Sequence, residues 1–337
     1  MRELLDILAA IRTWPGPPRE LVLATVTRVE GSAYRHPGAR LLLGPGGPLC
    51  GSVSGGCLEG DLQARAAELA APGDRRLLRY DLRGDLDLIW GTGSGCEGVA
   101  EILLERLGDR AGEAWLAAVE EALAGRRTLR LATGLDPDPD SPWSLGTRRV
   151  LEASVPEPDA ALVERLEPPV ALWCFGAGDD AKPLVQFATV LGWTVGLADH
   201  RPAYLSPARF PGVATLLSGR PGATVPRMRL DARSACVLLS HHWERDQEAL
   251  RLLLPSPAGY LGLLGHRKRG SALLAALAAD GFAPTPEQLA RLHTPVGLDL
   301  GGSGPEAIAL AVVAEILASF SGREGRPLRL RAGPVHG

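Results

Sequence analysis

The segment GSVSGGCLEGD at 51–61 sets a thiol, Cys57, after a run of small residues and at the start of a helical pattern. Successive glycine and serine N–H groups can turn inward as a nest and cradle an anion. A thiol at such a helix start is expected to have a lowered pKa and to be partly thiolate at neutral pH. The segment WGTGSGCEG at 90–98 repeats the idea with Cys96, beside Glu97. Two polarised thiols would suit one anionic or metal-bound ligand, with Cys57 and Cys96 as metal-side contacts. The plainer reading is two small buried residues next to tight turns.

A third constellation lies further on. Gly176, Gly178 and Ala181 match G-x-G-x-x-A between a strand and a helix, and Asp199 ends the next strand. Each position has a job in dinucleotide binding. Gly176 permits the tight turn, Gly178 lets a pyrophosphate approach, Ala181 lets helix pack on strand, and Asp199 can accept from ribose hydroxyls. Asp179 and Asp180 complicate this, because a diphosphate wants only N–H donors there; as helix caps they are unexceptional. His241, His242 and Asp246 follow a buried strand, at the sheet edge where ligands bind in such folds. A histidine there can serve as acid, base or ligand contact, or simply bond a loop carbonyl. The run His266-Arg267-Lys268-Arg269 could neutralise an anion or form a solvated helix start.

These residues need elements to hold them. Val-, Leu- and Thr-rich runs at 19–29 and 39–43 read as strands, followed by a helix over 57–71. Strands near 76–81 and 99–105, a helix near 111–124 and a strand at 127–133 complete the first half. Prolines make 134–146 a surface loop. From 169 the pattern alternates, with strands at 169–175, 193–200, 236–240 and 258–265 between helices, ending in a helix over 305–320. That alternation predicts a parallel doubly wound sheet. The fold class is α/β: an N-terminal mixed α+β domain, 1–168, then a Rossmann-like domain, 169–322, and a loosely held tail, 323–337.

The 337 residues carry a net charge of -3 and are 45% hydrophobic, which fits two full cores and leaves no concentrated basic face for nucleic acid. No stretch reaches the length of a transmembrane helix. Glu3 and Asp6 interrupt what would be a signal peptide's apolar region, so the expected compartment is the cytoplasm. Five cysteines without a CxxC pair should be mostly free thiols.

In order, ATVTRVEGSAYRHPGARLLL, GSVSGGCLEGDL and DLIWGTGSGCEG resemble the first domain of the XdhC/CoxI family, accessory proteins of xanthine dehydrogenase and related molybdenum hydroxylases. FGAGDDAKPLV, LADHRP, LSHHWERD and YLGLLGHRKR are similar to that family's Rossmann domain, and 295–318 to its closing segment. The resemblance implies a chaperone that binds molybdenum cofactor (molybdopterin), guards it while a cysteine desulfurase supplies its sulfur ligand, and delivers it to an apo molybdenum hydroxylase. It also implies a homodimer, and cofactor contacts at Ser54, Gly55, Gly56, Cys57, Glu59, Cys96, Gly176, Gly178, Asp199, His241 and Asp246. Soft thiolates suit a molybdenum–sulfur centre. Two positions depart from the family pattern: Asp179 stands where a histidine is usual, and Glu97 interrupts a usual G-C-G-G. The rival is an NAD(P)-dependent oxidoreductase with Asp199 on the ribose and His241 as acid.

Overall fold

The computed structural model describes residues 1–83 and 98–332. The chain forms two compact units, Met1–Pro168 and Pro169–Gly337.

The first unit is built on a five-stranded antiparallel sheet in the order β3-β2-β1-β5-β4. The strands are β1 (Val22–Gly31), β2 (Arg40–Gly44), β3 (Gly47–Gly51), β4 (Arg75–Asp81) and β5 (Gly98–Arg106). β1 lies between β2 and β5, with Val22 opposite both Leu43 and Arg106. It is buried on both faces, so its sequence reads as a continuous apolar run without alternation. On one face Val22, Ala24 and Val26 pack with Leu58, Leu62 and Ala66 around helix α2 (Glu59–Ala67). On the other, Leu21 and Leu23 meet Leu4, Ile7 and Leu8 of α1 (Arg2–Thr13) and Trp115 and Val119 of α3 (Arg110–Ala124). The i, i+3, i+4 spacing of those α1 leucines and isoleucine gives it one apolar stripe.

A three-stranded antiparallel sheet, β7-β6-β8, joins this unit, from β6 (Leu129–Gly134), β7 (Arg148–Val150) and β8 (Ala161–Leu166). Buried charge ties it to the larger sheet. Glu105 of β5, its side chain only 3% exposed, pairs with Arg75 and with Arg148 of β7. The Arg148 guanidinium in turn lies 4.7 Å from the Trp115 ring centroid.

In the second unit all strand pairings are parallel, in the order β11-β10-β9-β12-β13-β14. The strands are β9 (Ala171–Phe175), β10 (Thr194–Asp199), β11 (Thr215–Ser218), β12 (Ser234–Leu238), β13 (Tyr260–Leu263) and β14 (Leu292–His293). Between them run α4 (Ala181–Val190), α5 (Pro221–Thr224), α6 (Trp243–Leu253), α7 (Arg267–Ala279) and α8 (Pro286–Ala290), and α9 (Pro305–Phe320) follows. α4 and α9 pack on one face through Leu184, Val185, Val312 and Ile316, and α6 and α7 on the other through Leu250, Leu253, Leu273 and Leu277. The sheet is therefore doubly wound, a Rossmann-like architecture. The chain steps outward from β9 to β11 and returns at β12, so its order reverses between β9 and β12. That reversal opens a crevice at the carboxyl ends of the strands. Among the described residues, no helix is long and apolar enough to cross a membrane.

Candidate functional site

Between β3 and α2 the chain wraps around one of its own carboxylates. The Ser54 and Leu58 N–H groups donate to Glu59 Oε1 and Oε2, each at 3.2 Å, and Ser52 Oγ donates to Oε1 at 3.2 Å. Ser54 Oγ pairs closely with Oε2 and accepts the N–H groups of Gly56 and Leu58, both at 3.1 Å. Burial pushes the Glu59 carboxyl up, but the donors from Ser54 and Ser52 outweigh it and hold the group below its ordinary range. The anion cradle expected from the sequence is thus occupied by Glu59. The helix begins at Glu59, with Leu58 as its N-cap, instead of at 57.

Cys57 stands in this tied loop, one residue after Gly56, whose φ of +109° only glycine adopts readily. It is a half-buried free thiol at the margin of the cluster packed on α2. Cys174 and Cys236 are fully buried, and burial pushes the Cys174 thiol up to about 12 and raises Cys236 as well. Cys50 is half-buried but raised, first by burial and then by Asp6 and Glu3. Tyr34, 66% exposed, lies beside the loop, where a Cβ on Gly55 would come within 3.8 Å of its ring. Cys96 and Glu97 lie outside the described residues.

At the sheet edge of the second unit, Gly176 makes the expected tight turn. Its φ is +119°, and a Cβ there would stand 2.8 Å from the Leu239 carbonyl oxygen. Gly178 faces open space. The carboxylate of Asp199 turns inward instead of toward a ribose. It accepts the Ala177 N–H at 2.8 Å, the Arg201 N–H at 2.8 Å, and the Arg201 guanidinium at 3.0 and 2.8 Å. His200 Nδ1 is a further 3.1 Å neighbour, and the Asp199 side chain is only 2% exposed. Burial raises this carboxyl, but the hydrogen bonds from Arg201 and Ala177 overcome it and bring it down to about 2. The acceptor positions expected to serve a ribose are thus engaged by partners within the unit.

The aspartates beyond Gly178 each have a local partner. Asp179 meets Lys182 at 2.7 Å and Arg209 at 3.3 Å, and Asp180 meets His241 Nε2 at 3.1 Å. His241 is exposed and held at φ +52°. Asp246 is 1% exposed; it accepts Ser240 Oγ at 2.6 Å and pairs with Arg269 at 2.6 Å, tying α6 to α7. His241 and Asp246 thus have separate partners. From the basic run, Arg269 goes to this pairing and His266 caps α7. A cleft of about 30 Å³ lies among Gly176, Asp199, His200, Arg201, Ser240 and Arg245. Small-molecule pockets run to roughly 300 Å³ and more, so this one has room for a small group only. Sequence reasoning misses Arg201, Arg209 and Arg245, although the first follows closely on the strand-end acid.

Residues 17–81 match the family model described as the XdhC and CoxI family, and 172–316 the one described as the XdhC Rossmann domain. The chain is 33% identical over 315 residues to a Bacillus subtilis (strain 168) protein named as a probable component of xanthine dehydrogenase, covering 88% of this chain and 92% of that one. It is 25% identical over 297 residues to the molybdenum cofactor insertion chaperone PaoD of Escherichia coli (strain K12), covering 88% and 82%. A crystal structure from Bacillus halodurans, described as a xanthine dehydrogenase, matches with a TM-score of 0.80 and 29% identity over 96% of this chain and 97% of that one.

Proposed function

The chain belongs to the XdhC and CoxI family, and from that premise we propose that it serves molybdenum cofactor maturation, holding the cofactor as cargo for a xanthine dehydrogenase-type hydroxylase. The observation that carries this reading is the Cys57 loop. One half-buried thiol is presented on backbone already fixed by Glu59, so the loop has its shape before any ligand arrives. A thiolate is a soft donor suited to a sulfur-ligated molybdenum centre, and oxygen ligands would suit harder ions. In this reading Cys57 contacts the molybdenum end, Cys96 supplies the second thiol, and Ser54 and Glu59 position the loop. The same proposal has a cysteine desulfurase install the sulfur ligand while the cargo rests here.

Hydride transfer on NAD(P) is less well supported, because the carboxylate it needs at the ribose is engaged by Arg201 and Ala177. The test is transfer. The chain loaded with molybdenum cofactor is mixed with an apo molybdenum hydroxylase, and recovered hydroxylase activity is followed over time. Recovery is expected with the native chain and should fall several-fold with Cys57→Ala. Equal recovery with both would remove Cys57 from the cargo site.

A further inference from the structure

We infer that the cleft at the carboxyl ends of β9, β10 and β12 is a subsite for a phosphate group, gripped by Arg245 with help from His200. The inference is independent of the molybdenum reading, since it concerns a different unit and a different chemistry.

The charges around the cleft decide it. Two carboxylates line the cleft, and both are already matched: Asp199 by Arg201 and Asp246 by Arg269. Glu248, one turn along α6 from Arg245, pairs with Arg220 and accepts the Gly222 N–H. Glu244 is exposed and does not line the cleft. Arg245 is half-buried, lines the cleft, and makes no hydrogen bond or ion pair among the described residues. A guanidinium partly withdrawn from water without a counter-charge is unfavourable, and its forked donors match a phosphate's oxygens two at a time.

The neighbouring imidazole registers the same excess. His200 is pushed down first by burial and next by Arg245, with Arg201 and His242 adding to the effect and Asp199 opposing it. Size agrees as well. About 30 Å³ takes a group of a few heavy atoms, with any larger remainder left outside the cleft. The cleft reaches the glycine turn only at Gly176, and Asp179 and Asp180, at the start of α4, do not line it.

Two sources share this chemistry: free phosphate, and a phosphomonoester projecting from a ligand whose remainder lies outside the cleft. The full-length chain is titrated calorimetrically with inorganic phosphate against chloride at matched ionic strength, then with adenosine 2′-monophosphate against adenosine. Phosphate should bind where chloride does not, and Arg245→Gln should weaken it by about tenfold or more, the worth of a charge-assisted contact. Arg245→Lys should recover part of the loss. Without phosphate, Arg245→Gln should unfold at or above the native temperature, because it removes an unmatched charge. Tighter binding of the nucleotide than of phosphate assigns the site to a ligand-borne group; the reverse order assigns it to the free ion. Undiminished phosphate binding in Arg245→Gln, or no distinction from chloride in the native chain, overturns the inference.

Discussion

In the Cys57 loop a glycine-rich turn closes on Glu59, which takes the N–H groups of Ser54 and Leu58. At the edge of the parallel sheet another glycine-rich turn closes on Asp199, which takes the N–H of Ala177. Both turns look from their sequence like cradles for a foreign anion, and each is occupied by a carboxylate of its own unit. The regions differ in what remains uncommitted. Around Glu59 it is a thiol, Cys57; around Asp199 it is a guanidinium, Arg245. A tied turn is scaffold, and the group without a partner among the described residues says what the scaffold presents: a soft donor in one unit, a forked cationic donor in the other.

The sharpest way to break the comparison is to remove the deeper carboxylate. Asp199→Asn leaves the buried Ala177 N–H and the half-exposed Arg201 guanidinium beside a neutral amide, and should cost about 3 kcal/mol in denaturant unfolding of the second unit, the upper end for bonds to a charged group. The native carboxyl titrates at about 2, below its ordinary 3.8, so its contribution is complete above the ordinary value and is lost as pH falls toward the folded one. The native chain should therefore shed stability over that acid interval, and the variant should not. A variant as stable as the native chain would make Asp199 a free ligand group after all.

Glu59→Gln should have the smaller effect, about 1–3 kcal/mol, since the amide keeps one acceptor and the site is only half-buried. Its carboxyl is likewise held low, so the native loop should loosen on acidification below the ordinary carboxylate range. Hydrogen exchange at Ser54 and Leu58 reads this directly. Faster exchange in Glu59→Gln at neutral pH is expected; unchanged exchange would mean the loop is held by something other than Glu59.

Much of this molecule is legible in its sequence because its signals are local. The apolar runs at 169–175 and 236–240 could only be buried strands, and both are central strands of the parallel sheet. The tight turn at Gly176 follows from its place in the motif. What escapes is whatever depends on partners distant in the chain or on short polar strands. β7 is only three residues, RRV, and β8, ALVERL, bunches its apolar residues at its start, so neither shows an alternating period. The G-x-G-x-x-A pattern reports a backbone turn and does not say where the lone pairs of Asp199 point; Arg201, two residues on, settles that in three dimensions. Arg245 is one charge among four consecutive polar or aromatic residues, WERD, and stands out only once its neighbours are seen to be paired elsewhere.

The central claim is that the Cys57 loop holds the molybdenum cargo, and its most direct test is stoichiometry. The chain is purified from cells that make molybdenum cofactor, and molybdenum and released oxidised pterin are quantified per chain for the native protein, Cys57→Ala and, as a control thiol, Cys50→Ala. Near-equimolar molybdenum and pterin in the native chain and Cys50→Ala, lost several-fold in Cys57→Ala, is the expected result. Pterin retained in full by Cys57→Ala, or absent from the native chain, would contradict it.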